Sequence, residues 1–466
     1  MKKISPLQLY KHLPGTNCRE CQESSCMAFA STLIERSHNI EDCTPLMKED
    51  KYSEKRGTLF EILTPPIKEI KIGNGDRQVV IGGEEVMYRH DLTYFNPTAI
   101  FIDINDGMEN GAIQEKVEKI KEFTVTRIGE KLNLDGIAIR STTNDPTKFG
   151  EIVLSVVEKY DLPLILCSYN SEILEVGLAI SADKKPLIYA ANKENWESIV
   201  NLALKYDCPV VASAPGNPQE LVELVQNLTN NGVENIVLDI GTYPRGKKFY
   251  EMNENLAMMR RLAIEDGIKN LGFPILGVPM VAWMQEKDEI KASKLEATLA
   301  STQLLRYCDV LILHSLETWA LLPLLTLRQN IYTDPRVPIS VDAGIREIEK
   351  PNKNSPVLVT SNFALTYYTV ASDLESAKIP CYVLVVDTDG LAVEVAIAGG
   401  KLTASGINEI FEESNIIDRI DHKKLIIPGR IARLSGEIED ATGLEILVGP
   451  IDSARIGGFL EKNWSN

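Results

Sequence analysis

Four cysteines near the start of the chain constrain its fold and chemistry more than any other feature. Cys18, Cys21, Cys26 and Cys43 follow the spacing Cys-x2-Cys-x4-Cys-x16-Cys. Four thiolates at such spacing bind either a zinc ion or a cubane iron–sulfur cluster. Structural zinc sites usually use two short cysteine pairs across a longer gap, whereas three of these cysteines share one loop and the fourth stands apart. This asymmetry favours a [4Fe–4S] cluster, with zinc as the alternative.

Length and charge restrict the class of protein. A chain of 466 residues is too long for one hydrophobic core, so we expect two or three domains. The net charge of −17 argues against nucleic acid or an anionic membrane surface as a partner. We find no apolar run long enough for a signal peptide or for the ~20 residues of a membrane span, and we expect a cytoplasmic location.

The remaining cysteines are isolated beside apolar runs. They are Cys167, Cys208, Cys308 and Cys381. In a reducing compartment, such residues are most simply interpreted as buried free thiols rather than as a disulfide framework.

The N-terminal residues 1–56 are predicted to form a small cluster-binding domain, followed by a connector over residues 57–95. A helix is expected to begin at Cys26, so that its free amide groups point toward the cluster. A unit of this size buries little apolar surface, and bound metal would supply part of its folding energy.

Residues 96–320 show a regular alternation of short apolar runs and amphipathic helical stretches. The pattern predicts a closed (β/α)8 TIM barrel, and an open doubly wound sheet is the second choice. The eight predicted strands are Thr98–Asp103, Gly136–Arg140, Pro163–Ser168, Pro186–Ala190, Pro209–Ser213, Asn235–Asp239, Phe273–Gly277 and Asp309–His314.

Polar residues that follow the strands of such a barrel share one rim. Polar residues at these strand ends indicate a small-molecule pocket, but a surface that docks another protein or a solvated edge would show the same sequence pattern. His314 is the best single candidate for chemistry, although a structural histidine is the more common case. The rim residues are Asp103, Asn105, Arg140, Ser141, Thr142, Ser168, Asn170, Asn192, Ser213, Asp239 and His314.

A proline-rich linker is predicted over residues 321–355, and an open α/β (Rossmann-like) domain over residues 356–466. Small residues occupy its strand-end loops, where a flat cofactor could approach the backbone. Ordinary tight turns would contain the same small residues. Neither a Gly-x-Gly-x-x-Gly motif nor a Walker loop is present, so a dinucleotide or nucleoside triphosphate is poorly supported. The loops are Thr360–Asn362, Asp387–Ala392, Thr403–Gly406 and Gly449–Ala454.

Taken together, the chain resembles the large (gamma) subunits of corrinoid/iron–sulfur proteins, which work in acetyl-CoA decarbonylase/synthase (CO dehydrogenase/acetyl-CoA synthase) complexes. The resemblance covers essentially the whole chain. It rests on the cysteine array, the barrel pattern and three phrases, Ser361–Tyr368, Ile427–Ala432 and Leu434–Glu439.

The resemblance implies a methyltransferase that acts as a methyl carrier within a multienzyme complex. It would move a methyl group between a methyl-tetrahydropterin and the nickel centre of acetyl-CoA synthase, in acetyl-CoA synthesis or cleavage. The corrinoid would be base-off, without an imidazole ligand, and the cluster would reduce Co(II) to Co(I). Cys18, Cys21, Cys26 and Cys43 would bind the cluster; the implied corrinoid contacts are Thr360, Thr366, Gly390, Leu391, Ala392, Val393, Ala404 and Ser453.

The implied partners are the small (delta) corrinoid/iron–sulfur subunit, in a heterodimer, and the acetyl-CoA synthase and CO dehydrogenase subunits. Two alternatives remain open. The chain could be an iron–sulfur electron-transfer subunit without its own corrinoid. Alternatively, the barrel could be a pterin-binding methyltransferase that uses Asp103, Asn105 and Asp239.

Overall fold

The computed structural model describes residues 5–75 and 78–464. Residues 1–4, 76–77 and 465–466, which fall in the predicted cluster domain, connector and C-terminal domain, lie outside the described residues. Contacts divide the chain into two compact units. The first contains the residues up to Thr124 together with Asn133–Thr333, and the second contains Val125–Leu132 together with the residues from Asp334 onward.

The first unit begins with four short helices, α1 Pro6–Tyr10, α2 Cys26–Ile34, α3 Thr44–Lys48 and α4 Ser53–Leu63. Leu9, Phe29, Leu46 and Leu59 pack together with Cys26 in a small core of their own. Because the predicted helix does begin at Cys26, the third cysteine lies at a helix N-terminus.

Eight parallel strands follow, in the order β10-β9-β8-β7-β6-β3-β12-β11. Leu238 pairs with Ile275, and this bridge joins the two edge strands and closes the barrel. The predicted fold class is confirmed, because every predicted barrel strand is present. The bounds are β3 Ala99–Asn105, β6 Gly136–Arg140, β7 Leu164–Cys167, β8 Leu187–Ala191, β9 Val210–Ser213, β10 Ile236–Asp239, β11 Leu276–Gly277 and β12 Val310–Leu313.

Helices surround the barrel, and polar N-cap residues begin several of them. Asp145, Asn170, Asn217 and Asp288 accept hydrogen bonds from first-turn amides, which would otherwise have no partner. The helices are α5 Asn110–Glu122, α6 Pro146–Val157, α7 Ser171–Ser181, α8 Trp196–Tyr206, α9 Pro218–Asn230, α10 Gly246–Ile264, α11 Ala282–Gln285, α12 Glu289–Leu305 and α13 Thr318–Tyr332.

An antiparallel hairpin within the predicted connector packs into the N-terminal end of the barrel. Its strands are β1 Ile70–Ile72 and β2 Val79–Ile81. Ile70, Ile72 and Ile81 are buried in one cluster with the inward-facing barrel residues Phe101 and Val237. The hairpin therefore covers apolar side chains at the end of the barrel where its strands begin.

A buried group of charges lies at the same end. The Arg260 guanidinium is fully buried; Nη1 donates to Glu84 Oε2 at 3.0 Å and Nη2 to Asp309 Oδ2 at 2.7 Å. Burial and the charge of Asp309 raise the pKa of Glu84 to about 8. Asp309 Oδ2 also accepts the Ile275 amide at 2.6 Å, so the group links the connector, α10 and the beginnings of two strands.

The second unit is an open sheet with the order β13-β15-β14-β16-β17. β13 Gly344–Ile348 is antiparallel, and β14 Val357–Ser361, β15 Cys381–Val386, β16 Lys424–Ile427 and β17 Glu445–Val448 are parallel. Apolar clusters lie on both faces of the sheet. The helices are α14 Ala364–Ser376, α15 Val393–Ala398, α16 Ala404–Glu413, α17 Ser435–Thr442 and α18 Ile456–Asn463.

Among the strands of the described ranges, two hairpins and one edge strand were not predicted from the sequence. They are the β1–β2 hairpin, the edge strand β13, and a second hairpin formed by β4 Thr124–Arg127 and β5 Glu130–Asn133. Helix α13 runs through position 320, where the barrel was predicted to end. The predicted domain boundaries stay predictions.

Replacing Arg260 by methionine should strongly destabilise the barrel unit. The change leaves Asp309 buried without its cation, which costs about 3–5 kcal/mol for a broken buried pair. A shift of the urea unfolding midpoint at unchanged slope measures this loss.

Arg261→Met is the matched control, because Arg261 is 60% exposed and pairs with Glu265, the C-cap residue of α10. We expect the control to stay within about 0.5 kcal/mol of the wild type. Equal midpoints for the two variants would show that the buried charges do not stabilise the barrel.

Candidate functional site

The backbone of the loop that carries the first three cysteines makes several tight turns. Asn17, Arg19 and Gln22 have positive φ values of 49°, 64° and 67°. The side-chain oxygen of Asn17 accepts the Cys26 amide at 2.8 Å, and the Asn17 amide lies 3.4 Å from Cys26 Sγ. These contacts hold the third cysteine against the start of its own loop.

The four thiols share one neighbourhood. Cys26 and Cys43 are buried, Cys21 is half-buried and Cys18 is exposed. Burial raises the pKa of Cys43, and the nearby Cys21, Cys26 and Cys18 raise it further. Bound iron or zinc would reverse this effect, because a thiolate ligand is favoured by the positive charge of the metal.

In the described residues, no three histidine, cysteine or acidic side chains gather as they would around one metal ion. A cubane places each thiolate on a different iron, so the four sulfurs need not converge on one point. The donor set and its partial burial fit a cubane, with Cys18, Cys21, Cys26 and Cys43 as the residues that would hold it.

Arg36 anchors the cluster-binding helices to the connector. Its guanidinium donates to Glu69 at 2.7 Å, to Glu85 at 2.8 Å and to the Gly83 carbonyl at 2.9 Å. It also lies 4.5 Å from the ring centroid of Phe95. The Arg36 cation is thus surrounded by two carboxylates, one carbonyl and one aromatic ring. These contacts give the cysteine-rich segment a defined position on the connector.

In the second unit, a cavity of about 350 Å³ lies where the strand order reverses. β14 and β16 are neighbours in the sheet, but β15 lies on the far side of β14, so the segments after β14 and β16 diverge. Ligands bind at such switch points in open α/β sheets. The cavity is lined mainly by apolar residues of these two strands and of α14, including Leu358, Ile426 and Val370.

The implied corrinoid contacts divide into two groups. Thr360, Thr366, Ala392, Val393 and Ser453 line the cavity, whereas Gly390, Leu391 and Ala404 do not. Gly390 has a φ of 70°, and its amide donates to the side chain of Asn362 at 3.0 Å. Leu391 and Ala404 pack against the apolar core on one face of the sheet. These three residues shape the loops beside the cavity.

Asn362 holds the loop after β15 in place. Its side-chain oxygen accepts the Thr388 amide at 2.9 Å, the Thr388 hydroxyl at 2.8 Å and the Gly390 amide. The adjacent hydroxyl of Ser361 is buried with no hydrogen-bond partner in the described part of the chain. The loops around the cavity are therefore fixed by a side chain that does not line it.

Several cavity residues were not predicted from the sequence. Phe363, Leu365 and Pro428 contribute apolar surface, and Glu394 and Arg430 contribute charge. The only sequence signal for them is indirect: Phe363 and Leu365 lie in the phrase Ser361–Tyr368, and Pro428 and Arg430 in the phrase Ile427–Ala432.

The barrel rim contains a compact charged group around Asp103, whose side chain is fully buried. The Asp103 carboxylate accepts a hydrogen bond from Arg140 Nε at 2.8 Å and lies 2.5 Å from His314 Nδ1. Lys116 Nζ lies 3.4 Å from the same carboxylate. Burial raises the pKa of Asp103, but these three partners outweigh it and hold the pKa well below its ordinary range. His314 also packs on Trp283, with ring centroids 4.6 Å apart.

Two further rim acids are engaged by neighbouring groups. Asp106 accepts hydrogen bonds from the amides and hydroxyls of Thr142 and Thr143 and from the Ser141 hydroxyl. Asp239 accepts from the Tyr189 and Ser213 hydroxyls at 2.8 and 2.9 Å, and burial raises its pKa. Both acids support the loops and strand ends of the rim.

The predicted amides of the rim also have structural partners. Asn105 accepts the Gly107 amide, Asn170 accepts the Glu172 amide, and Asn192 accepts the amides of Glu194 and Asn195. Ser168 accepts the Asn170 amide. In the part of the chain that the structure describes, these residues form turns and helix caps, which a polar strand-end pattern cannot distinguish from ligand contacts.

No helix in the described ranges is both long and apolar enough to span a membrane.

Comparison with known families gives two matches. The CO dehydrogenase/acetyl-CoA synthase delta subunit family matches residues 69–460, and an Fe-S cluster family matches residues 13–45. The second match contains all four cysteines of the N-terminal array.

Full-length relatives are also found. The chain is 48% identical to acetyl-CoA decarbonylase/synthase complex subunit gamma 1 of Methanosarcina thermophila, covering 100% of this chain and 99% of the relative. It is 44% identical to the gamma subunit of Archaeoglobus fulgidus, covering 100% and 99%. It is 43% identical to that of Methanothermobacter thermautotrophicus, covering 99% of both chains.

Among solved structures, dihydropteroate synthase of Thermus thermophilus aligns with 56% of this chain and 100% of its own length, at 16% identity and a TM-score of 0.40. The Xanthomonas albilineans enzyme aligns with 57% and 100%, at 13% identity and a TM-score of 0.41.

Replacing Asp103 by asparagine should destabilise the barrel in a pH-dependent way. Lys116, Arg140 and His314 lose the anion that they share, and Glu296 is the other carboxylate near Lys116 and His314. We expect the free energy of unfolding to fall by about 1.5–3 kcal/mol at pH 7. Since the folded pKa is depressed, the stabilisation by Asp103 is complete above the unfolded pKa of about 3.9 and is lost as the pH falls toward the folded pKa.

The difference in urea midpoint between wild type and Asp103→Asn should therefore narrow as the pH falls below about 4. Asp161→Asn, at a 65% exposed side chain, serves as control and should change little at any pH. A difference that widens below about pH 4 would contradict the assigned charge state of Asp103.

Proposed function

Because the chain belongs to the family of acetyl-CoA decarbonylase/synthase gamma subunits, we propose that it is a corrinoid/iron–sulfur methyl carrier, with a methyltransferase role in that complex. It would exchange a methyl group between a methyl-tetrahydropterin and the nickel centre of acetyl-CoA synthase. The single observation that carries the proposal is the cavity at the strand-order reversal, which five of the implied corrinoid contacts line.

The residues of the second unit fit a large, partly apolar cofactor. The cavity is mostly apolar, and its uncharged polar side chains are those of Thr360, Thr366, Thr369 and Ser453. The Ser453 hydroxyl donates to Asp373 at 2.5 Å, which fixes its orientation. When bound, the corrinoid supplies the cobalt that accepts and releases the methyl group, and the cluster supplies the electron that restores reduced cobalt. The protein residues bind, orient and shield these groups.

The histidines argue against a protein imidazole as a ligand of the proposed corrinoid. The chain has five histidines, and His422 is the one that lies in the second unit. Its Nε2 lies 2.9 Å from the Ser355 carbonyl, and its Nδ1 accepts the Lys424 amide at 3.2 Å. Both ring nitrogens are engaged, and the described cavity lining contains no histidine. The proposed site therefore offers no imidazole as a lower ligand.

The barrel alternative is less well supported by its candidate residues. Both carboxylate oxygens of Asp239 accept hydrogen bonds from the protein, and the residue is 1% exposed. Asp103 is enclosed by three cationic or histidine side chains. We therefore assign the proposed methyl-carrying role to the second unit.

We also propose that the delta, acetyl-CoA synthase and CO dehydrogenase subunits are partners of this chain and that the complex works in the cytoplasm.

Cobalt analysis and an optical spectrum test the carrier proposal directly. The protein should be isolated after co-expression with its delta partner under corrinoid-replete conditions. We expect about one cobalt per chain and corrinoid absorption in addition to that of the cluster. A preparation with four irons per chain and no cobalt would instead support the electron-transfer alternative.

Replacing Cys26 by alanine tests the proposed cluster ligands. We expect loss of the iron, with the corrinoid still bound but no longer reduced by a low-potential donor, because the cavity and the cysteine array share no residue. Cys208→Ala, which removes a buried thiol of the barrel, is the matched control and should keep iron and reduction. Reduction of Cys26→Ala at the wild-type rate would refute the role assigned to the cluster.

A further inference from the structure

The cavity at the strand-order reversal carries one ion pair. Among the described residues that line it, Glu394 and Arg430 are the charged ones, and Arg430 is the one cation. The Arg430 guanidinium pairs with the Glu394 carboxylate, and the two side chains are 48% and 59% exposed. The pair therefore lies at the open side of a cavity whose interior is apolar.

The backbone next to Arg430 is held tightly. Gly429 donates its amide to the Pro450 carbonyl at 3.2 Å. A Cβ atom at position 429 would lie 2.6 Å from the Gly449 carbonyl oxygen, so only glycine fits there without a shift. This close contact between the loops after β16 and β17 fixes the point from which the Arg430 side chain starts.

The Glu394–Arg430 pair is easily broken. Exposed ion pairs contribute little to stability, because water screens them and both side chains lose freedom when they pair. A phosphate group offers arginine the same two parallel hydrogen bonds and negative charge that a carboxylate offers. Glu394 can thus hold the guanidinium at the cavity, and a bound phosphate can replace Glu394 as its partner.

A complete corrinoid of the cobamide type contains one such anion, the phosphodiester that links the macrocycle to its nucleotide base. We propose that Arg430 recognises this phosphodiester and that Glu394 holds Arg430 in place before the cofactor binds. Arg430 then favours corrinoids that carry this phosphate over corrinoids that lack it. This inference rests on the proposed corrinoid site and assigns a specificity-determining residue to it.

Binding of three probes to the corrinoid-free, full-length protein tests the inference. Cobalamin has the complete loop, cobinamide phosphate has the phosphate without the base, and cobinamide has neither. For Arg430→Gln we expect affinity for cobalamin and cobinamide phosphate to fall about tenfold to a hundredfold, as for loss of a charged hydrogen bond, with cobinamide unchanged. Arg430→Lys should retain part of the preference, since it keeps the charge but not the paired donors.

Two variants serve as controls. Arg433→Gln removes an exposed arginine of the same turn that does not line the cavity, and it should bind all three probes as wild type does. Glu394→Gln should bind cobalamin as tightly as wild type or more tightly, because the competing anion is gone.

Two results would overturn the inference in distinguishable ways. In the first, wild type binds all three probes and Arg430→Gln either binds them as tightly as wild type or loses affinity for all three to the same extent. Arg430 then does not recognise the phosphate, whereas the proposed corrinoid site is retained. If wild type binds none of the probes, the proposed corrinoid site itself fails.

Discussion

The divergence of the segments that follow β14 and β16 creates the crevice on which the proposed function depends. Parallel strands that are hydrogen-bonded neighbours normally direct their following segments to one side, and a reversal of strand order separates them. Here the separation leaves a cavity of about 350 Å³ against β14 and β16, which are neighbours in the sheet. Loops from all four parallel strands reach this edge, so small local changes in them alter one common site.

The barrel uses its polar strand ends differently. Asp103, Asp106 and Asp239 are each surrounded by donors from neighbouring strands and loops, and each ties together a different part of the rim. At the opposite end, Arg260 does the same for the connector and two strand beginnings. A buried carboxylate needs its hydrogen bonds for stability, which leaves little capacity for a ligand. The charged residues of the barrel are thus explained by the stability of its two ends.

Much of the fold could be predicted from local patterns. The eight barrel strands are continuous apolar runs, and such runs signal strands covered on both faces. The hairpin strands β1 and β2 have three residues each, and the edge strand β13 is mostly half-buried, so neither produces a long apolar run. Arg430 and Glu394 could not be predicted as a pair, because nothing in either local sequence indicates that the loop after β16 meets the first turn of α15.

The cysteine array, the alternation of strands and helices and the family resemblance follow from the amino-acid sequence alone, because each depends on short spacings or contiguous phrases. Which polar residues remain available depends on the tertiary structure. It shows Asp239 and Asn192 engaged by protein donors and brings Arg430 to the opening of an apolar cavity. The physical reason is that hydrogen-bond satisfaction and burial depend on residues distant in sequence, and only the folded chain brings those residues together.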